Sequence, residues 1–303
     1  MEELKCRSLS LELQALRSLN TRMDLSVEAR KHYSNLEKGY QGEIMFDQLT
    51  HKLNCDVLVI KDLCLEFNNT TFQIDTLIIS QETIYPFEVK NYKGDFYYES
   101  ESFKTLVSKN EILNPLYQLK RCMILLQQFL RSIGVHMPIK GYVVFINPEF
   151  TLYQIPLNAP IIYPTQLNHF MKTLNQTSSK LSSRHRKLAA QLISMHKTIS
   201  PYKQLPPYTF GQLKKGILHP VCHSFVVSRG ERKVFCEKCD CGEDTDTAIL
   251  RSVGELKLLF PDMKITTNCV YEWCGGIGSH KKIRRLLKEN YKMIGVRQWT
   301  YFE

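Results

Sequence analysis

The first 53 residues carry apolar side chains at helical spacing. Residues 8–36 contain neither proline nor glycine, and their apolar residues include Leu9, Leu11, Leu13, Leu16 and Leu19, followed by Val27, Tyr33 and Leu36. We predict one or two helices there, and a further helix over residues 37–53 that continues after Gly39. An acid near the start of that helix, here Glu43, is favoured by the helix dipole. The preceding Gly39-x-x-Gly42 also allows the backbone to approach a ligand closely.

A β-rich region follows, and charged residues lie inside its apolar strands. We predict a strand over residues 56–67 and a hairpin over residues 72–95. Asp75 lies in the first hairpin strand. Glu88 and Lys90 lie two apart in the second, so they project to the same face, and the hairpin can bring Asp75 beside them. Isolated charges are costly to bury, so the three predict a metal site or a reaction. A solvated Glu–Lys ion pair is the ordinary alternative.

A helix with strong start and stop signals comes next. Asn114 can cap it, Pro115 suits its first position, and Gly134 ends it. Gln118 lies in its first turns, where it is either a surface amide or a group that reaches the site. A strand rich in Val and Phe over residues 140–146 completes the order helix, three strands, helix, strand.

Residues 219–242 contain two ligand pairs with the spacing of a zinc ribbon. The four predicted Zn²⁺ ligands are His219, Cys222, Cys236 and Cys239. Two x2-spaced pairs across a β-like stretch match a ribbon with one His ligand. His223 or Cys241 could replace one ligand, and incidental cysteines are the alternative. A β module of this size needs such a staple.

Residues 243–303 predict a helical module. Helices are predicted over residues 247–260 and 268–274, and a third begins at Ser279 after a glycine-rich turn. Followed by a β-like segment at 298–302, they resemble a helix-turn-helix with a small wing. A solvated basic face is the alternative for the third helix. Its residues predicted to contact nucleic acid are Lys281, Lys282, Arg284, Arg285 and Lys288.

The net charge of +10 comes from one stretch of the chain. Residues 150–230 contain ten Lys or Arg and no Asp or Glu, and the remaining 30 basic residues balance 30 acidic ones. Such a block suits contact with phosphates, because neutralising them releases counterions. Charge alone fits a solvated basic face equally well.

Composition also limits where the protein works. Ten cysteines without a regular framework fit a reducing cytoplasm better than secretion. The N-terminus lacks the apolar segment of a signal peptide, and no apolar run approaches the length of a transmembrane helix. We therefore expect a cytoplasmic protein without a membrane partner.

Three features together resemble the nuclease-related domain (NERD) family, a mainly bacterial branch of the PD-(D/E)XK nuclease superfamily. They are the Gly-x-x-Gly-Glu ending at Glu43, the Asp75 hairpin followed by Phe87-Glu-Val-Lys-Asn-Tyr-Lys-Gly94, and Asn114-Pro-Leu-Tyr-Gln118. The resemblance covers about residues 37–150. Ile74 stands where the superfamily name has proline.

The resemblance implies an α/β (α+β) nuclease-like mixed sheet flanked by helices, and DNA rather than RNA as substrate. It implies Mg²⁺ or Mn²⁺ at Asp75 and Glu88, with Glu43, Lys90 and Gln118 completing the catalytic set. We expect a metal-dependent nuclease that hydrolyses phosphodiester bonds. The competing class is a non-catalytic nucleic-acid-binding regulator built on a nuclease fold.

The expected organisation has six parts. They are a helical lead-in at 1–36, the nuclease-like domain at 37–150, a basic extension at 151–200, a linker at 201–218, the zinc-ribbon-like module at 219–242 and the helix-turn-helix-like module at 243–303.

Overall fold

The computed structural model describes residues 1–197, 205–228, 230 and 232–303, and each of its two compact units is built from two chain segments. Unit 1 comprises Met1–Leu9 and Asn35–Pro201. Unit 2 comprises Ser10–Ser34 and Tyr202–Glu303. The expected lead-in at 1–36 is therefore divided between the units. No helix among the described residues is long and apolar enough to cross a membrane.

The elements of the first two thirds of the chain are mostly strands. In order they are β1 (Glu2–Lys5), α1 (Leu11–Arg22), α2 (Val27–Thr50), β2 (Leu58–Phe67), β3 (Thr70–Ile79), β4 (Ile84–Lys90), β5 (Gly94–Glu99), β6 (Ser102–Thr105), β7 (Glu111–Ile112), α3 (Pro115–Ser132), β8 (Tyr142–Phe145), β9 (Phe150–Tyr153), β10 (Ile161–Ile162), α4 (Leu167–Gln176) and α5 (Ser183–Ser194).

The strands of the last third are short, and its longest elements are helices. Its elements are β11 (Val227–Ser228), β12 (Lys233–Cys236), β13 (Cys241–Asp244), α6 (Thr245–Leu259), α7 (Thr267–Trp273), α8 (His280–Asn290), β14 (Met293–Ile294) and β15 (Tyr301–Phe302). Short 3-10 helices lie at Pro164–Gln166, Phe210–Gln212 and Arg297–Trp299.

Unit 1 is built on a six-stranded mixed sheet in the order β1-β2-β3-β4-β8-β10. The predicted hairpin is β3 and β4, which pair antiparallel with Thr76 opposite Phe87. The Ser80 hydroxyl and the Thr83 backbone exchange hydrogen bonds and close the turn. β8 and β10 add in parallel on one side, and β1 pairs in parallel with β2 on the other. The lead-in over residues 1–36 was expected to be helical, and this is wrong for Glu2–Lys5, which form β1. The pairing partner of β1 lies more than 50 residues away along the chain, so the local pattern does not indicate this strand.

Helices cover both faces of this sheet. α3 and α5 pack on one face, where Leu126 and Leu192 are fully buried. α2 and α4 pack on the other through Phe46 and Met171. The basic extension thus supplies β10, α4 and α5 to the same hydrophobic cores as the strands. A mixed sheet flanked by helices, as expected of a nuclease-like domain, is what the chain forms.

A second, four-stranded sheet in the order β7-β6-β5-β9 packs through aromatic side chains. Phe145 and Phe150 stack with ring centroids 3.8 Å apart and an interplanar angle of 9°. Because Phe145 ends β8, this cluster ties the second sheet to the strand beside β4. The second sheet therefore packs next to the end of β4, where Lys90 lies opposite Phe145.

Unit 2 packs around Trp273, which is fully buried. α1 contributes Leu19 to this core, and Leu213 and Ile217 are buried in it as well. The described part of the expected linker, residues 205–218, is therefore packed rather than free. Residues 201–204 of the expected linker and residues 198–200 of the expected basic extension lie outside the described residues.

The C-terminal helices α6, α7 and α8 form close to the predicted positions. The turn from α7 to α8 needs its glycines, since Gly275, Gly276 and Gly278 all have positive φ. The expected β-like segment is shorter, because Arg297–Trp299 forms a 3-10 helix before β15. β14 and β15 pair antiparallel as a small hairpin.

Candidate active site and metal centre

Asp75 is a buried carboxylate near the middle of the sheet. Its side chain lies on β3 and is 9% exposed. The backbone N–H of Val89 donates a 2.7 Å hydrogen bond to its Oδ2. Burial raises the pKa of Asp75 well above its usual value, and the charges of Glu88 and Glu43 raise it further. The ionised form of Asp75 is therefore disfavoured, and a nearby cation would stabilise it.

Glu88 and Lys90 share a strand face, as the spacing predicts. Phe87 and Val89 on β4 point into the core against α2 and α4. Glu88 and Lys90 alternate with them and point to the opposite side of the sheet. There, Nζ of the lysine lies 2.7 Å from Oε1 of the glutamate. Burial lowers the pKa of Lys90, but the charges of Glu88 and Asp75 outweigh it and raise the pKa overall. The ammonium group therefore stays charged.

Glu43 on α2 belongs to the same electrostatic cluster. Its side chain is 22% exposed, and its Oε2 accepts a 2.7 Å hydrogen bond from Arg7. Burial raises the pKa of Glu43 to about 7, against the opposing effect of the Arg7 charge. Asp62, Asp47 and Glu88 add to the increase through repulsion. With Asp75, five acidic groups thus crowd one region of unit 1.

Of the two glycines before Glu43, Gly42 is the one that packing between elements requires. A Cβ at Gly42 would lie 2.6 Å from the Cβ of Asn91, so only glycine lets α2 approach the end of β4 this closely. The Asn91 side chain also donates to the Lys38 carbonyl at 2.8 Å. A Cβ at Gly39 would meet nothing within 4 Å. The close approach here is between helix and strand, and it carries Glu43 toward the hairpin.

Gln118 faces the interior from the first turns of α3. Its Oε1 is buried without a hydrogen-bond partner among the described residues. Cys122 follows one turn later on the same helix face. Burial raises the pKa of the Cys122 thiol to about 12, with added repulsion from Glu88 and Asp75. This face of α3 therefore lies toward the hairpin carboxylates, and the Gln118 amide oxygen is a hydrogen-bond acceptor without a partner among the described residues.

Arg7 and Asp47 were missed by sequence reasoning. Nε and Nη2 of Arg7 donate to the two carboxylate oxygens of Asp47 at 3.0 and 3.1 Å. Nη2 also donates to the backbone oxygen of Asp75 at 2.8 Å. One signal was present, since Glu43 and Asp47 are four residues apart on a helix and two acids on one helical face call for a cation. Nothing in the spacing pointed to Arg7.

The four predicted zinc ligands lie together in unit 2. The ligand atoms of His219, Cys222, Cys236 and Cys239 are all within 4.8 Å of one another. Sγ of Cys222 lies 3.2 Å from Sγ of Cys236 and 3.7 Å from that of Cys239. A hydrogen bond from the Ser224 backbone lowers the pKa of Cys222 to about 6, which favours the thiolate. β11, β12 and β13 form the small antiparallel sheet that carries this zinc-ribbon-like cluster.

The alternative ligands stay outside the cluster. Cys241 is exposed, and its Sγ contacts the Cys239 carbonyl at 3.2 Å. His223 has a φ of 54° and is not among the four clustered ligands. Among the described residues of unit 2, the two x2-spaced pairs form the His/Cys group that could hold a metal ion.

The basic helix α8 is partly neutralised within unit 2. Nζ of Lys282 lies 2.8 Å from Asp246, and Arg285 pairs with Asp246 and with Glu289. Lys281, Arg284 and Lys288 are exposed, and none of them forms an ion pair within the described part of the chain. The predicted set of five thus divides into two paired and three unpaired cations.

Comparison with known proteins identifies a family for part of the chain. The model of the nuclease-related domain family matches residues 38–146, which are 109 of the 303 residues. No curated protein and no solved structure matches the chain. The matched segment holds Glu43, Asp75, Glu88, Lys90 and Gln118, whereas Arg7 and the His/Cys cluster lie outside it. Residues 38–146 of this chain are therefore a nuclease-related domain (NERD).

Proposed function

We propose that the protein is a metal-dependent nuclease that hydrolyses phosphodiester bonds of nucleic acid. One observation carries the proposal. The buried Asp75 and the half-buried Glu88 and Glu43 act on one another electrostatically beside the charged Lys90. Repulsion and burial both destabilise these ionised carboxylates, so the cluster does not stabilise the sheet. Such clusters are typical of functional sites.

The residues fit a hard divalent cation such as Mg²⁺ or Mn²⁺. Carboxylate and amide oxygens are the ligands these ions prefer, and Mg²⁺ commonly keeps several waters beside one or two carboxylates. Asp75 and Glu88 would supply the direct ligands, and Glu43 would complete the shell directly or through water. The buried, unpartnered Oε1 of Gln118 is a further oxygen donor on the α3 side.

The side chains divide the chemical work. A bound divalent ion would neutralise charge at the phosphate and lower the pKa of an attacking water. Lys90 orients that water or stabilises negative charge as it develops, since its raised pKa keeps the ammonium protonated. Val89 holds Asp75 in place through the hydrogen bond to Oδ2.

DNA is the favoured substrate because of the family resemblance. The acid-free stretch at 150–230 and the unpaired cations Lys281, Arg284 and Lys288 are candidates for phosphate contacts. Helices α6, α7 and α8 with the β14–β15 hairpin fit a helix-turn-helix with a wing, which would bring unit 2 to the same ligand.

We further propose a structural Zn²⁺ in unit 2. Tetrahedral thiolates at a Zn–S distance of about 2.3 Å lie about 3.8 Å from one another. The separations of 3.2 and 3.7 Å between the cysteine sulfurs are close to that geometry. Val234 and Cys236 of β12 already pack in the Trp273 core, and the ion would add to this packing by holding the two ligand pairs together.

A non-catalytic nucleic-acid-binding regulator is the second candidate. It is favoured by the pairing of Glu88 with Lys90 and of Glu43 with Arg7, because paired groups stabilise a fold without any reaction. The buried Oε1 of Gln118 without a hydrogen-bond partner and the raised pKa of Asp75 favour the enzyme.

One assay separates the two functions. Purified full-length protein is incubated with labelled single- and double-stranded DNA under Mg²⁺, Mn²⁺ or EDTA, alongside the Lys90→Ala variant. The nuclease proposal requires cleavage that depends on the divalent ion and on Lys90. Binding without cleavage under every metal would assign the regulator function.

A further inference from the structure

Arg7 lies at the centre of the acidic cluster, although it precedes the nuclease-related domain by 30 residues. Its side chain is 2% exposed. The guanidinium engages Asp47 through two nitrogens and Glu43 through Nη1 at 2.7 Å. Both acids lie on α2, four residues apart, so one cation holds two successive turns of the helix.

The same guanidinium is anchored to the strand that carries Asp75. Nη2 donates to the Asp75 carbonyl at 2.8 Å and reaches the Thr76 hydroxyl at 3.3 Å. This carbonyl is accessible because the β2–β3 pairing skips Asp75, and Asp62 on the facing strand has a φ of 50°. The planar fork therefore links α2 to β3 at the residue whose side chain faces the proposed metal site.

The link leaves part of Glu43 available. Arg7 engages Oε2, and the side chain of Glu43 remains 22% exposed. The buried Asp47 carboxylate accepts from Nε and Nη2 of Arg7, so the guanidinium forms ion pairs with both Asp47 and Glu43. The arrangement has the form of a ligand held by an outer partner, which fixes the orientation of the carboxylate without occupying the site itself.

We propose that Arg7 is a positioning residue of the divalent-metal site. It holds the Glu43 carboxylate in a fixed orientation toward Asp75 and Glu88. The inference rests on the proposed function. It extends the site beyond the matched segment, because a strand from the start of the chain supplies the group that orients the α2 carboxylate. Arg7 contacts no reacting group in this arrangement and acts through Glu43.

Metal binding, rather than cleavage, gives the decisive test. Mn²⁺ affinity is measured by calorimetry or by the electron paramagnetic resonance signal of free Mn²⁺, using full-length protein with its zinc retained. The variants are Arg7→Lys, Glu43→Gln, the double variant and Asp75→Asn. Arg186→Lys is the matched control, since Arg186 forms an exposed ion pair with Glu2 on β1.

A lysine keeps the charge but cannot hold two carboxylates and a carbonyl at once. Arg7→Lys should therefore weaken Mn²⁺ binding about 10- to 100-fold, the usual effect of losing an outer-shell partner. In the Glu43→Gln background the same change should alter Mn²⁺ affinity by less than about twofold, because the group it positions is already gone. Arg186→Lys should bind as the wild type does.

The outcomes separate the inference from the function it rests on. Wild-type affinity in Arg7→Lys, or an equal loss in both backgrounds, overturns the positioning role and leaves the nuclease proposal intact. Wild-type protein without an Asp75-dependent Mn²⁺ site overturns both. If Arg7→Lys fails to fold by circular dichroism, Asp47→Asn loosens the fork more gently. Its loss of affinity must likewise disappear in the Glu43→Gln background.

Discussion

The backbone amide of Val89 donates a 2.7 Å hydrogen bond to Oδ2 of Asp75 across the β3–β4 hairpin. This bond favours the ionised carboxylate, yet burial and the neighbouring acids outweigh it, so the pKa of Asp75 is raised. The hairpin therefore holds its acid in position at the expense of stability in the absence of a cation. That trade is typical of functional sites and gives measurable consequences.

Asp75→Asn should stabilise the metal-free protein while abolishing cleavage. The amide oxygen can still accept from Val89, and the buried charge is removed. We expect an increase of roughly 1–2 kcal/mol in the free energy of unfolding, the order of a relieved buried charge. Urea unfolding followed by circular dichroism measures it. A loss of stability instead would mean that the ionised carboxylate is structurally satisfied.

Lys90→Ala should lower cleavage by at least about 100-fold with little change in DNA affinity. Its ammonium lies beside Glu88, where the attacking water is proposed to be oriented. Lys93→Ala is the control, because Lys93 forms an ion pair with Glu149 in which its side chain is 67% exposed. Equal cleavage by both variants would remove the role given to Lys90 without removing the enzyme.

The stability of the protein without divalent cation should fall as pH rises from about 4.5 to about 7. The pKa of Glu43 is raised from 4.5 to about 7 by folding, so the folded state binds more protons than the unfolded state in this window. By linkage, the free energy of unfolding then decreases with pH. Glu43→Gln should flatten this dependence, and Asp75 will retain part of it. Urea unfolding at pH 5 and pH 7.5 checks the slope, which would be unchanged in the variant if Glu43 titrates normally.

Purified protein should carry about one zinc ion per chain. Cys236→Ser combined with Cys239→Ser should remove it and loosen the small β sheet, since both sulfurs lie in the cluster. Cys241→Ser is the matched control, because this exposed cysteine stays outside the ligand group. Elemental analysis of the three proteins decides the matter. Full zinc content in the double variant contradicts the assignment.

Neutralising the unpaired cations of α8 should weaken binding to double-stranded DNA and flatten its salt dependence. Lys281→Gln, Arg284→Gln and Lys288→Gln together should reduce the log–log slope by up to about 2.7, at about 0.9 per phosphate contact. Lys282→Gln with Arg285→Gln should change it less, because Asp246 already pairs with both. Full-length variants are needed, since removing residues 202–303 would expose Leu16 and Leu19 of α1, which are fully buried. Identical slopes in all proteins would point to a partner-binding role for this unit.

The sequence by itself determined the parts whose residues are close along the chain. The hairpin with Asp75, Glu88 and Lys90 follows from strand alternation and a short turn. The start of α3 follows from its Asn–Pro cap, and the His219-x-x-Cys222 and Cys236-x-x-Cys239 pairs follow from ligand spacing. In each case local geometry restricts where the side chains can point, so spacing carries the information.

Only the tertiary structure decided which distant segments meet. β1 pairs with a strand more than 50 residues away, and Arg7 reaches Glu43 across 36 residues. α1 is buried with the C-terminal helices, and α4 and α5 close the faces of the nuclease-related sheet. These contacts come from burying complementary apolar faces and pairing buried charges. Neither process leaves a fixed spacing in the sequence, because any chain segment of suitable composition can supply the partner.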